Sequence, residues 1–180
     1  MKEHRNGGWI QTATGRPFWP IDPRPEDICI EDVAHALSNL CRFTGHCKEF
    51  YSVAQHSVLV SHALPAPLKL WGLLHDASEA YLIDVPRPIK PHLAGYEEAE
   101  ARVMDAVVQA FGLAPATIPP EVKRVDAAIL ADEAAQIMLR PPMDWNLTEP
   151  ALGIRIDPWS PPTARRAFLE EFEALTAVAA

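Results

Sequence analysis

The chain has 180 residues, 48% of them hydrophobic and 22% charged, which suits one globular domain around one core and excludes a disordered or fibrous protein. Sixteen Lys and Arg stand against 24 Asp and Glu, a net charge of −8. That field repels nucleic acid and anionic membrane, which argues against generic nucleic-acid binding and leaves room for a local basic pocket for a small anion.

No apolar run reaches the length of a bilayer span, and residues 1–14 lack the apolar core of a signal peptide. Three cysteines, Cys29, Cys41 and Cys47, are odd in number and form no Cys-x-x-Cys. This argues against a disulfide framework or a Cys-rich zinc site and fits a reducing cytoplasm.

Residues 1–29 read as an extended, turn-rich arm carrying Trp9, Phe18, Trp19 and Ile21. These are too apolar for a free tail, so the arm is expected to pack on the body, with a short strand pair. Residues 30–140 read as the core. Val33, Leu37 and Leu40 recur at helical spacing behind Glu31 and Asp32, which suit the positive end of a helix dipole. A second helix runs to Pro65. A third opens at Pro67 and continues through Leu70, Leu73, Leu74 and Ala77 to about Tyr81. The run Asp84-Val85-Pro86-Arg87-Pro88-Ile89-Lys90-Pro91 cannot be a regular helix. A long amphipathic helix from about Gly95 to Phe111 follows, stopped by Gly112. Pro119 and Pro120 open the next, which ends by Pro141-Pro142. Residues 141–160 read as loop, and Pro161-Pro162 open a last helix. The expected fold is all-α: one helical bundle of about six helices, with residues 141–180 forming a loop and a C-terminal helix.

Chemistry concentrates in three helical stretches. They hold His56, then His75-Asp76 with Glu79 close by, then Asp126. Two imidazoles and two carboxylates on separate helices can converge on one divalent cation, such as Mn²⁺, Fe²⁺, Co²⁺, Zn²⁺ or Mg²⁺. A cation so held lowers the pKa of bound water and polarises a phosphoryl oxygen. Glu79 lies four residues after His75, one helical turn on, placed to take or return a proton. A lone His-Asp pair is as easily a buried polar pair, and it is the ordered set that carries the functional reading.

That order resembles the HD-domain metal-dependent phosphohydrolases. The run from His75-Asp76 through Glu79, Asp84, Pro86 and Pro88 to Lys90 is similar to one in bacterial HD-type 5′-deoxynucleotidases. Arg42-Phe43 resembles their Arg-aromatic pair, and the stretch from Phe43 to Ser57 is similar to the small phage and bacterial branch, which includes deoxyadenosine triphosphate triphosphohydrolases. The resemblance covers roughly residues 15–140. It implies His56, His75, Asp76 and Asp126 as metal ligands and Glu79 as the catalytic carboxylate. Arg42 and Lys90 would clamp phosphate. Asp84 would meet the sugar or act as a turn residue, and Trp19 and Ile21 would shape a base pocket or anchor the arm.

The implied activity is hydrolysis at the 5′ sugar–phosphate bond of a deoxynucleotide. Release of tripolyphosphate from dATP is the first expectation, and removal of phosphate from a deoxynucleoside monophosphate the alternative. A non-catalytic nucleotide-binding module is the reading from another class. The resemblance also implies a homo-oligomer, a dimer or hexamer, in the cytoplasm, or in a host's cytoplasm for a phage-encoded protein.

Overall fold

A computed structural model describes residues 4–177; the first three residues of the arm and the last three of the chain lie outside it. Among the described residues are seven α-helices and one two-stranded ladder, β1 (Ile10–Gln11) with β2 (Pro17–Phe18), antiparallel with Ile10 opposite Phe18. The helices are α1 (Ile30–Asn39), α2 (Val53–Ala63), α3 (Lys69–Leu74), α4 (Glu79–Leu82), α5 (Tyr96–Phe111), α6 (Pro120–Gln136) and α7 (Pro161–Ala177). The all-α bundle is as expected. No described helix is long and apolar enough to cross a membrane.

Helix α2 is the centre, packed by α1, α3, α6 and α7. Eight of its residues, Val53 to Val58 with Val60 and Ser61, are buried, so it has no polar stripe. Its start is set by Ser52, whose hydroxyl accepts the Gln55 N–H at 3.1 Å. A buried helix must satisfy its polar side chains internally. Gln55 does so by clamping backbone: its amide donates to the Asp157 carbonyl at 2.8 Å and accepts the Trp159 N–H at 2.8 Å.

Gly72 lets α3 lie directly on α2. A Cβ there would stand 2.5 Å from Leu64 Cδ1 and 3.1 Å from the Ser61 backbone. The same glycine's carbonyl lies 2.7 Å from His75 Nδ1. One residue therefore sets the approach of the helix carrying His56 and the orientation of His75.

The third helix expected from the sequence is broken. Regular α-helix ends at Leu74 and resumes at Glu79, and His75 to Ser78 form turns. The bonds Ala77 N–H to Leu74, Glu79 N–H to Asp76, Ala80 N–H to Ala77 and Tyr81 N–H to Ser78 all span three residues. Tightening to three residues per turn stacks Asp76 and Glu79 on one side. The one-turn pairing of Glu79 with His75 expected from a regular helix is thus replaced by a pairing with Asp76. Helix α5 ends as expected at Gly112, left-handed at φ 63°.

The arm is attached to the body by Phe18 and Thr14. Phe18 is fully buried and stacks on Tyr81, with centroids 3.9 Å apart. The buried Asp32 carboxylate accepts the Thr14 N–H at 2.7 Å and its hydroxyl at 2.9 Å.

Candidate metal centre and its cavity

His56 from α2, His75 and Asp76 from the turn after α3, and Asp126 from α6 meet at one point. His56 Nε2 lies 3.1 Å from Asp126 Oδ1 and 3.9 Å from Asp76 Oδ2. His75 Nε2 lies 3.2 Å from Asp76 Oδ2 and 4.0 Å from Asp126 Oδ1. The donor atoms of His56, His75 and Asp126 all fall within 4.8 Å of one another. Both Nε2 atoms are buried and neither makes a well-formed hydrogen bond. Unpaired polar atoms at such depth are costly. Two nitrogens and two carboxylates aimed at one point are the donor set that a divalent cation satisfies.

The outer nitrogens are both engaged, which fixes each ring with Nε2 inward. His75 Nδ1 meets the Gly72 carbonyl, and His56 Nδ1 meets Glu133 Oε1 at 2.7 Å. Glu133 is fully buried on α6, and its other oxygen accepts from Arg42 at 2.9 Å. Arg42 Nη1 reaches Asp76 at 3.7 Å. A chain of alternating charge therefore runs from Glu133 through Arg42 to Asp76 behind the cluster.

The backbone that presents Arg42 is strained. Phe43 and Thr44 both sit at φ 55°, the left-handed region that costs non-glycine residues about 1–2 kcal/mol each. Arg42 N–H bonds the Tyr51 carbonyl at 2.9 Å, and Lys48 N–H bonds Ile137 at 2.9 Å, tying this loop to the end of α6.

Charge follows from these neighbours. Burial opposes ionisation of Arg42, but Glu133, Asp76 and Asp126 outweigh it and hold the guanidinium charged. Burial and the Arg42 charge depress His56, while Glu133 and Asp126 carry it up to about 9. Burial raises Glu79 well above the usual carboxyl range, with the charges of Asp76 and Asp84 acting the same way. One Glu79 oxygen, Oε2, is buried without a partner.

The cluster opens into a cavity of about 1270 Å³. Its lining includes Arg42, Phe43, His75, Asp76, Glu79, Asp84, Lys90 and Asp126, and from the loop after α6 Trp145, Asn146, Leu147 and Thr148. Space of this size takes a small organic ligand.

The chain is 37% identical over 171 residues to the uncharacterized protein YfdR of Escherichia coli (strain K12), covering 93% of this chain and 96% of that one. The chain belongs to the YfdR family. It is also 36% identical over 192 residues to the uncharacterized protein RCAP_rcc00048 of Rhodobacter capsulatus, covering 93% and 95%. No family model matches.

Within this YfdR-family chain the structure brings together His56, His75, Asp76 and Asp126, with Glu79, Arg42 and Asp84 around the same cavity. Lys90 also lines it, but its Nζ is paired with Glu100 Oε1 at 2.6 Å and lies 5.7 Å from the Tyr96 ring centroid. Trp19 and Ile21 do not line it. Trp19 carries the Arg5 guanidinium 4.3 Å from its ring centroid, and Ile21 is 48% exposed beside Asp22, Arg102 and Asp105. Arg5 is paired with Asp22 and Asp27, so this part of the arm is held by its own charges and stands apart from the large cavity.

Glu133 is the site residue that sequence reasoning missed. It lies seven residues after Asp126, on the same face of α6 two turns later, between buried Ile129 and Ile137. A carboxylate inside that apolar stripe was the available signal.

Proposed function

We propose that the chain is a metal-dependent phosphohydrolase of the HD type, acting on the 5′ phosphate of a deoxynucleotide. The observation that carries this reading is the pair of buried histidine Nε2 atoms, neither in a well-formed hydrogen bond, facing Asp76 and Asp126 at 3.1–4.0 Å, with His75, Asp76 and Asp126 lining a large cavity and His56 directly behind them. The donor chemistry fits Mn²⁺, Co²⁺, Fe²⁺, Zn²⁺ or Mg²⁺, held by His56, His75, Asp76 and Asp126. Such an ion, when bound, supplies Lewis acidity toward phosphoryl oxygen and a more acidic water.

The chain's own residues do the rest. Arg42, kept charged by Glu133, presents donors to phosphate oxygens from a half-buried position in the cavity wall. Glu79 handles protons at the reacting water or the leaving 5′ oxygen. Hydrolysis consumes one water, breaks the bond between phosphorus and the 5′ oxygen, and leaves a nucleoside and inorganic phosphate.

The charge of the cavity supports a monophosphate over the triphosphate expectation. Its lining holds seven carboxyl groups (Asp76, Glu79, Asp84, Glu97, Glu100, Asp105 and Asp126), of which burial pushes Glu79 toward its neutral form, against four basic side chains (Arg42, Arg87, Lys90 and Lys123). Two of the four already have carboxylate partners, Arg42 in Glu133 and Lys90 in Glu100. A dication on Asp76 and Asp126 leaves no surplus positive charge for a chain of three phosphates. A deoxynucleoside monophosphate is therefore the first substrate, and dATP with release of tripolyphosphate the second. The preference for deoxyribose rests on the resemblance to the HD-type 5′-deoxynucleotidases.

The test is a product assay with added Mn²⁺, Co²⁺ or Mg²⁺ on mono- and triphosphates of deoxy- and ribonucleosides, resolving phosphate from tripolyphosphate. Glu79→Gln is expected to lower kcat by about 10²–10⁴ while bound metal per chain is unchanged. A wild-type protein silent with every metal and nucleotide would overturn the enzyme reading and leave a nucleotide-binding module.

A further inference from the structure

The loop between α6 and α7 bears on the cavity in a way the metal chemistry does not explain. Its second half is fastened down. The Asp132 carboxylate accepts the N–H groups of Leu152 at 2.9 Å and Gly153 at 3.0 Å. The Gln136 amide donates to the Ile154 carbonyl at 2.7 Å and accepts the Ile156 N–H at 3.0 Å. Both anchors stand on α6, the helix that supplies Asp126 and Glu133. The first half of the loop is thus hung from the same helix as the metal cluster.

That first half carries Trp145 to the cavity wall. The Asp144 carboxylate accepts the Asn146 N–H at 2.8 Å, and Asn146 is left-handed at φ 51°, a turn that pins the residue between them. The Trp145 ring lies 6.0 Å from the Phe43 ring, centroid to centroid, tilted by 45°. Phe43 in turn lies 5.3 Å from the Arg42 guanidinium, and Arg42 reaches Asp76 at 3.7 Å. The order outward from the metal ligands is therefore carboxylate, guanidinium, Phe43 ring, Trp145 ring. Trp145 remains 39% exposed, so packing on the body does not use up its faces. Asn146 and Thr148 add an amide and a hydroxyl to the same wall.

We infer that Trp145 is the base-recognition residue of this cavity: it stacks on the planar ring of the nucleotide while the phosphate sits at Arg42 and the metal ligands. This rests on the phosphohydrolase reading for the phosphate end, but not for the ring end. Stacking on an aromatic side chain tolerates any base, because every base has a π face. The expected result is broad base tolerance, with affinity that depends on there being a base at all.

The experiment compares wild type, Trp145→Ala and Trp145→Phe as metal-loaded full-length chains, with a deoxynucleoside monophosphate and with deoxyribose 5-phosphate, which lacks the base. Trp145→Ala is expected to raise KM for the nucleotide roughly tenfold, the loss of one stacked ring, with kcat held within about twofold. Turnover of deoxyribose 5-phosphate is unchanged, and Trp145→Phe keeps most of the affinity. Equal KM for wild type and Trp145→Ala, or an equal loss on deoxyribose 5-phosphate, overturns the assignment.

Equilibrium dialysis with a free deoxynucleoside gives a second readout that needs no turnover. Binding by wild type that Trp145→Ala loses upholds the base site even where no phosphate ester is cleaved, an outcome that would sink only the phosphohydrolase reading. Binding that is absent from wild type, or equal in the two proteins, overturns the base site.

Discussion

The two sides of the cavity are built differently. Behind the candidate metal ligands, on α2 and α6, buried side chains from separate elements are tied to one another, although Ser57 Oγ, Tyr51 OH and Arg42 Nε have no partner there. Glu133 takes His56 and Arg42, and Gln55 takes Asp157 and Trp159. Across the cavity, around α4 and the proline-rich run after it, the polar groups are loosely held. Glu79 has a buried oxygen without a partner, Asp84 is raised by burial, and Ile83 sits at φ 86°, an outlier for a β-branched residue. One side holds geometry and the other is left free to exchange protons and partners, which is the division that preorganised sites need.

This contrast is broken most directly at Glu133. Glu133→Ala strands a buried guanidinium and frees the His56 ring, and is expected to cost about 3–5 kcal/mol in urea unfolding. Glu133→Gln keeps the volume and separates fold from site. It is expected to remain folded and to weaken Mn²⁺ binding by about 10–100-fold, read by calorimetric titration. A Glu133→Ala protein as stable as wild type would mean that this side is not the rigid one.

A smaller effect is expected at Gly72, which sets the distance between α2 and α3. Gly72→Ala places a methyl 2.5 Å from Leu64 Cδ1 and 3.1 Å from Ser61 backbone. Leu64 can turn aside, whereas the Ser61 backbone can move only with the whole helix. The expected cost is about 1–3 kcal/mol, with metal affinity lowered in parallel because His56 and His75 move apart. Loss of stability with metal affinity intact would uncouple the packing from the site.

The same contrast explains what could be read in the sequence. The candidate ligands were legible because His56, His75-Asp76 and Asp126 are polar residues inside otherwise apolar helical stretches, each needing a reason to be there. Helix α5 was legible because Gly112 marks its end. The break at His75 to Ser78 was not, since no proline or glycine marks it; it arises where the backbone tightens to bring Asp76 and Glu79 onto one side. Glu133 was hidden for a different reason. A carboxylate on a charged helix reads as a solvated face until the fold buries it against Arg42, 91 residues earlier in the chain. The long loop was silent because its function is carried by where α6 hangs it, through Asp132 and Gln136, and not by any local pattern.

Lys90 tests the open side, and there the smallest effect on stability is expected. Its ion pair with Glu100 is 2.6 Å long, but the two side chains are 28% and 24% exposed. Pairs that water can reach are worth at most about 1 kcal/mol, so Lys90→Ala should shift the urea midpoint little. If Lys90 also meets phosphate, it has to leave Glu100 to do so, and the substrate competes with a carboxylate for one ammonium. Lys90→Ala then raises KM for a deoxynucleoside monophosphate several-fold and leaves kcat nearly unchanged. Glu100→Ala, by releasing the ammonium, moves KM the other way. Opposite shifts in KM from the two ends of one ion pair would show that the pair is a resting state of the open side. A stability loss for Lys90→Ala as large as that at Glu133 would instead make Lys90 part of the scaffold and erase the difference between the two sides.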